Sequence, residues 1–323
     1  MSGTTPARET VFVEAAARLH FGVLDLRGAG GRWFGGLGAA APAPTLRLAV
    51  APRDDLVVEG EDARRAGEFA ARYLAHEGVT GGAHVQVERA LPTHSGLGSG
   101  TQLALAVARG LATLYGRSTD VRDLARAVGR GRRSAVGTWT FAAGGLVVEG
   151  GRRPETDACG PLVARVPLPR EWQCVVAIPD AVAAGLSGPA EEKAFSTLPR
   201  PPQSDVEKVA YLVLMVMLPA AVEADLPAFG RALTEVQEIT GRWFASLQGG
   251  AFAAGPSAQL VRQMAEWGAC GVGQSSWGPA VYGIVSGQEA ARRLRDRVCD
   301  ALLDRGRVYA GPFPSTGAQV WRA

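Results

Sequence analysis

Cysteine is rare in this chain. Cys159, Cys174, Cys270 and Cys299 are the only four among 323 residues, and no two form a Cys-x-x-Cys pair. That spacing suits neither a zinc site nor a disulfide framework, and it points to a reducing cytoplasm. None has a basic or histidine neighbour to make it a nucleophile, so all four are expected in the core. An excess of one charge is also missing: the net charge is only +3, too weak a footprint for a nucleic-acid partner. Long apolar runs are absent too. The longest, Val209–Val222, is interrupted by Pro219 and falls short of the ~18 residues of a membrane span. It reads as a buried helix. The N-terminal segment shows no apolar signal core, in keeping with a cytoplasmic protein that does not enter a membrane. With 47% hydrophobic and 20% charged residues, disorder as the main state is excluded.

What the chain has in excess is glycine, 42 residues, about twice the usual share. No Gly-X-Y period accompanies it, so these glycines mark tight turns or close backbone approaches. Period-2 alternation predicts strands at 11–13, 45–50, 56–59 and 84–88, and further strands are expected at 146–149, 174–178 and 281–285. Helical spacing predicts helices over 61–77, from 101 to Gly116, after Asp120, over 205–218, 225–247 and 257–268, and over 288–305 with Gly306 as its stop. Ser204-Asp-Val-Glu207 has the form of a capping box. Strands and helices mix without strict βαβ alternation, so the class is α+β. The proline-rich stretch at 199–202 divides the chain into domains 1–198 and 199–323.

Three glycine clusters stand out. Pro92-Thr-His-Ser-Gly-Leu-Gly-Ser-Gly-Thr-Gln102 lies between an expected strand and an expected helix. Gly96, Gly98 and Gly100 let the backbone wrap an anion, Ser99 and Thr101 add hydroxyls, and the helix start adds free amides. It has neither the Gly-Lys-Ser/Thr of a Walker A loop nor the spacing of a dinucleotide fingerprint. The others are Gly28–Gly38, with Trp33 and Phe34, and Gly271-Val-Gly-Gln-Ser-Ser-Trp-Gly278.

The segment 92–102 resembles the phosphate loop of the GHMP kinase superfamily. More closely, Arg18-Leu-His-Phe-Gly22, Arg32-Trp-Phe-Gly-Gly-Leu-Gly38, His94–Leu103, Gly185-Leu-Ser-Gly188, Gln248-Gly-Gly250 and Gly273–Pro279 resemble the beta-ribofuranosylaminobenzene 5'-phosphate synthase family of methanopterin biosynthesis. The resemblance implies a two-lobed fold, with an N-terminal lobe of ribosomal-protein-S5-like β-α-β topology and a ferredoxin-like C-terminal lobe. Many kinases of the superfamily carry a catalytic aspartate where this chain has Gly137, in Arg133-Ser-Ala-Val-Gly137. The alternative, an ATP-dependent small-molecule kinase, explains neither Gly137 nor the Gly273–Pro279 match.

The implied reaction is phosphoribosyl transfer from phosphoribosyl pyrophosphate to 4-aminobenzoate or 4-hydroxybenzoate, with loss of carbon dioxide and pyrophosphate. It implies magnesium with the pyrophosphate, no organic cofactor, and a homodimer. Helix 205–218 and the N-terminal strand are the surfaces a dimer could bury. Gly96–Thr101 is the expected cradle for pyrophosphate or the 5'-phosphate. Asp25 and Asp180, with Glu191 and Glu192 behind them, are candidates to stabilise the oxocarbenium-like sugar. Trp33, Phe34 or Trp277 would stack on the benzoate, and Arg18 or Arg32 would hold a phosphate or the carboxylate. His20 or His94 would donate to a phosphate or deprotonate the para substituent. Gln102 and Gln274 are expected polar anchors, and Ser275 and Ser276 possible phosphate donors. His76 and His84 are read as structural.

Overall fold

The computed structural model describes residues 9–156, 158–180, 195 and 197–323. Two sheets organise it. The first is seven-stranded and centres on two long strands, β1 (Val11–Asp25) and β2 (Phe34–Arg53), paired antiparallel. β3 (Val57–Gly60) runs parallel to β4 (Gly82–Arg89), which joins β2. β5 (Leu146–Glu149) pairs with β2 and with β6 (Leu162–Val166). The second sheet is four-stranded, built from β7 (Trp172–Pro179), β8 (Gly271–Gln274), β9 (Val281–Ser286) and β10 (Gly306–Pro312) in the order β10-β7-β9-β8. The last strand, β11 (Gln319–Arg322), returns to the edge of β1. The sheets therefore do not divide at residue 198: β7 reaches the second sheet from before it, and β11 returns to the first from after it.

β1 is much longer than the three residues expected. Its core positions, Val11, Val13, Ala15, Ala17 and Leu19, alternate with half-buried ones. The two alanines weaken the apolar signal without breaking the period. On the opposite face, Arg18 and His20 sit two residues apart and point the same way.

Helices cover the first sheet: α1 (Ala63–Glu77), α2 (Ser99–Leu114), α3 (Val121–Ala127) and α4 (Val136–Ala143). α2 is apolar nearly all round because it is enclosed, with Leu103, Leu105, Val107 and Leu111 all fully buried. Asp120 caps α3 as expected, accepting the Arg122 amide at 2.8 Å.

In the second half, α5 (Gln203–Tyr211) runs through a π-helical stretch (Leu212–Met217) into α6 (Leu218–Glu223). Two expectations fail here. The capping box does not form: Pro202 is the N-cap, Ser204 already lies inside the helix, and Glu207 accepts from Gln203 instead. Nor is the segment fully buried. Tyr211, Leu214, Met215 and Val222 are 57–72% exposed, an apolar face open to solvent. α7 (Leu226–Trp243), α8 (Ala245–Gln248), α9 (Pro256–Glu266) and α10 (Gln288–Leu302) complete the layer. α10 ends earlier than expected, with Leu303 in the left-handed cap position, and Gly306 opens β10. No helix among the described residues is long and apolar enough to cross a membrane.

Candidate active site

The two sheets meet where β1, the loop before α2 and the turn after β8 converge. Ser275 stitches the three: its hydroxyl donates to Gly96 O at 2.7 Å and accepts the His20 amide at 2.9 Å. The Arg18 amide bonds Leu97 O, the Ala280 amide bonds Ser95 O, and Gln237 reaches from α7 to Phe21 O. Ser275 is fully buried with its one proton committed, so it does not donate to a phosphate in this structure.

A cavity opens beside this seam. Arg18 and His20 enter it from β1, Ser134 from the turn before α4, Gln274 from the end of β8, and Ser276 and Trp277 from the turn that follows. Four aromatic rings form one wall. Phe195 stands edge-on to Phe34, Phe244 and Trp277 with centroids 5.5–5.8 Å apart, and Phe244 meets Trp277 at 5.0 Å. Such a wall suits a small planar ring. Trp277 and Phe34 were legible in the motifs, whereas Phe195 and Phe244 stand outside any motif and only the fold reveals them.

The phosphate loop connects to the cavity through Arg18, which lines the one and bonds the other. Gly98 is the N-cap of α2, with φ 76°, and no side chain caps the helix. Arginines surround it. Arg18 donates to Gly96 O, and its Cγ lies 2.9 Å from where a Cβ on Gly98 would stand. Around Gly100, Arg130 Nη2 and Arg65 Nη1 lie 3.1 and 3.5 Å from the corresponding point. Arg65 is held by Asp62 through bonds from Nε to both carboxylate oxygens at 2.9 Å. Uncapped amides framed by guanidinium groups form an anion cradle. Ser99 and Thr101 occupy its first helical turn. Gln102 is buried and donates to Gly137 O at 3.0 Å. Gly137 packs against the loop: a Cβ there would stand 3.1 Å from Thr101 Cγ2, so Thr101 would have to give by a few tenths of an ångström.

His20 is buried, with Nε2 3.2 Å from Ser134 Oγ. Burial, and then the charge of Arg18, lower its pKa to about 3. It is therefore a neutral hydrogen-bonding group and a weak base, poorly matched to deprotonating the para substituent. His94 lies elsewhere, exposed on the outer side of the loop, where it shares a surface recess with Asp180 and Arg307. Asp25 turns the β1–β2 connection, accepting the Arg27 and Gly28 amides, and does not line the cavity. Arg32 is bonded to Gly151 O at 2.9 Å, and Trp33 lines a neighbouring apolar pocket. Gln274 anchors the walls to one another, accepting from Ala253 and donating to Gln248 and Ser276. Gly185–Gly188, Glu191 and Glu192 lie outside the described residues. His84 pairs with Glu59 at the surface.

One carboxylate escaped the sequence reading. Glu149, at the end of β5, is 1% exposed behind the cavity wall, and burial raises its pKa to about 7. An acid closing an apolar strand just before Gly150-Gly151 was the available signal. Among the described residues no three His, Cys, Asp or Glu side chains cluster as a metal cage.

Comparison with known proteins agrees with this architecture. Residues 64–143 match the GHMP kinases N terminal domain, and residues 217–303 the GHMP kinases C terminal family. A homoserine kinase from Cytophaga hutchinsonii superimposes with TM-score 0.73 at 19% identity, covering 99% of this chain and all of that one. The fold is thus that of the GHMP kinases. Two archaeal relatives narrow it further, both named beta-ribofuranosylphenol 5'-phosphate synthase. That of Methanothermobacter thermautotrophicus is 35% identical across 85% of this chain and 88% of its own length. That of Archaeoglobus fulgidus is 36% identical across 87% and 90%. The chain belongs to the beta-ribofuranosylphenol 5'-phosphate synthase family, and that membership favours synthase over kinase.

Proposed function

We propose that this protein transfers the phosphoribosyl group of phosphoribosyl pyrophosphate to a para-substituted benzoate, a decarboxylating transfer in methanopterin biosynthesis. The observation that carries it is an arginine-framed anion cradle joined through Arg18 to an aromatic-walled cavity, with Gly137 where many kinases of the superfamily carry an aspartate. The relatives' names specify a phenol, so 4-hydroxybenzoate is the acceptor of choice.

The bonds balance as follows. The ring carbon bearing the carboxylate attacks the anomeric carbon, and the C–O bond to pyrophosphate breaks with its electron pair leaving on oxygen. The carbon–carboxylate bond then breaks, returns its pair to the ring, and releases carbon dioxide. The cradle at Gly96–Thr101, with Arg18, Arg65 and Arg130, would take the charge developing on pyrophosphate. Phe195, Phe244 and Trp277 would hold the ring flat, and neutral His20 with Ser134 would hydrogen-bond its polar end. Magnesium belongs to this reading as a companion of the substrate pyrophosphate. We also place a homodimer contact on the exposed face of Leu214 and Met215.

Initial rates with purified protein, magnesium and phosphoribosyl pyrophosphate test the activity, with 4-hydroxybenzoate and 4-aminobenzoate compared as acceptors. Pyrophosphate release that needs the aromatic acid supports the reading. ATP consumption with an alcohol and none with either acid points to a kinase.

A further inference from the structure

Glu149 has no part in the chemistry above, yet its surroundings are arranged around it. Its Oε1 accepts the Ala135 amide at 3.2 Å and its Oε2 the Gly151 amide at 2.8 Å. The first bond fixes the start of α4 and hence Ser134, whose hydroxyl meets His20 Nε2. The second fixes the glycine turn whose carbonyl receives Arg32. Two glycines keep the space clear. A Cβ on Gly160 would overlap Oε2, and one on Gly36 would stand 3.3 Å from both Glu149 Oε1 and His20 Nε2. Gly36 thus leaves room where the carboxyl, the imidazole and Val136 Cγ2 converge on one point.

We propose that Glu149 is a positioning residue of the cavity: its buried carboxylate holds the Ser134 turn against His20, and only its ionised form holds that turn firmly. An ionised carboxylate binds amides roughly twice as strongly as a neutral acceptor. Among the described residues, the other titratable groups near it are His20, beside Arg18 on β1, and Cys159 from the loop before β6; β2 brings Gly35 and Gly36 against it, and Arg133 precedes the clamped turn. His20 is neutral above its lowered pKa of about 3, and burial raises that of Cys159. Glu149 is therefore the group that changes charge near neutrality, with a pKa of about 7.

The turnover test rests on the synthase reading, and a second test does not. In Glu149→Gln one backbone amide must face the new –NH2, because both oxygens are acceptors here. We expect kcat to fall roughly tenfold or more with a much smaller change in KM. Wild-type kcat rises with pH through about 7, and this limb disappears in the variant. Gly160→Ala, which presses on Oε2 from outside the cavity, lowers kcat likewise but keeps a pH limb, because the carboxyl is still there to titrate. Wild-type kcat in Glu149→Gln, or an unchanged limb, overturns the proposal. If the wild type shows no turnover, the synthase reading fails and nuclear magnetic resonance of the imidazoles decides the proposal. The chain has only four histidines, so their ring signals are separable. In the wild type the His20 signal should inflect near pH 7 without becoming protonated. A His20 signal flat across that range overturns the proposal, whatever the variants do.

Discussion

Gly98→Ala probes the cradle with a single methyl group. Gly98 has φ 76°, a left-handed conformation that costs an L-residue roughly 1–2 kcal/mol. The new Cβ would also stand 2.9 Å from Arg18 Cγ and 3.1 Å from its Nε, so Arg18 must shift. With total stability of about 5–15 kcal/mol, the fold survives the strain. The ligand loses a guanidinium contact worth roughly 1.5–3 kcal/mol, or about 10- to 150-fold in affinity. Titration calorimetry with phosphoribosyl pyrophosphate, and with pyrophosphate alone, measures this directly. Arg18→Ala supplies the second edge of a double-mutant cycle. If Gly98→Ala acts through Arg18, its effect on affinity largely vanishes in the Arg18→Ala background. Gly100→Ala is the milder comparison, since its φ is not left-handed and its Cβ meets only flexible side-chain tips, Arg130 Nη2 at 3.1 Å and Arg65 Nη1 at 3.5 Å. Wild-type affinity in Gly98→Ala, with reduced melting temperature as its only effect, would remove Arg18 and the loop from the account.

Ser275→Ala should lower stability by about 1–3 kcal/mol per buried group left unpaired, read by thermal denaturation; unchanged stability with weakened ligand binding would instead make Ser275 a phosphate donor. His20 gives a pH signature. Its pKa falls from 6.5 unfolded to about 3 folded, so its contribution is present above pH 6.5 and is lost as pH falls toward 3. Relative to His20→Gln, the wild type should lose roughly 2–3 kcal/mol between pH 6.5 and 4.5, measured by denaturant unfolding; parallel curves would contradict the assigned burial. The proposed dimer contact predicts that the wild type has a dimer mass in light scattering and that Leu214→Glu is monomeric with unchanged secondary structure; a monomeric wild type, or a dimeric variant, contradicts that contact.

Much of this site was legible because its motifs are local. The loop 92–102 binds through backbone geometry, so glycine spacing and the following helix announce it. Arg18 and His20 share a face because they sit two apart on a strand, a relation any strand assignment carries. What stayed hidden depends on long-range packing. Phe195, Phe244 and Glu149 reach the site from separate elements, and nothing near them in sequence marks that convergence. Glycine was also over-read as ligand loop. Gly271 packs against Gly230 of α7, and Gly36 and Gly38 lie inside β2, so those clusters serve close packing as much as binding. Motif membership brought His94 forward, and Asp180 came forward as a carboxylate for the sugar; both line a surface recess apart from the aromatic-walled cavity. The capping box failed because Pro202 starts the helix two residues early and leaves Ser204 inside it.

In the proposed function, a kinase fold performs a decarboxylating ribosyl transfer. Carboxyl-labelled 4-hydroxybenzoate, supplied with phosphoribosyl pyrophosphate and magnesium, tests it most directly. Labelled carbon dioxide and pyrophosphate are expected in equal amounts, unaffected by ATP. Pyrophosphate released with the label still on the aromatic acid, or turnover that requires ATP, would contradict it.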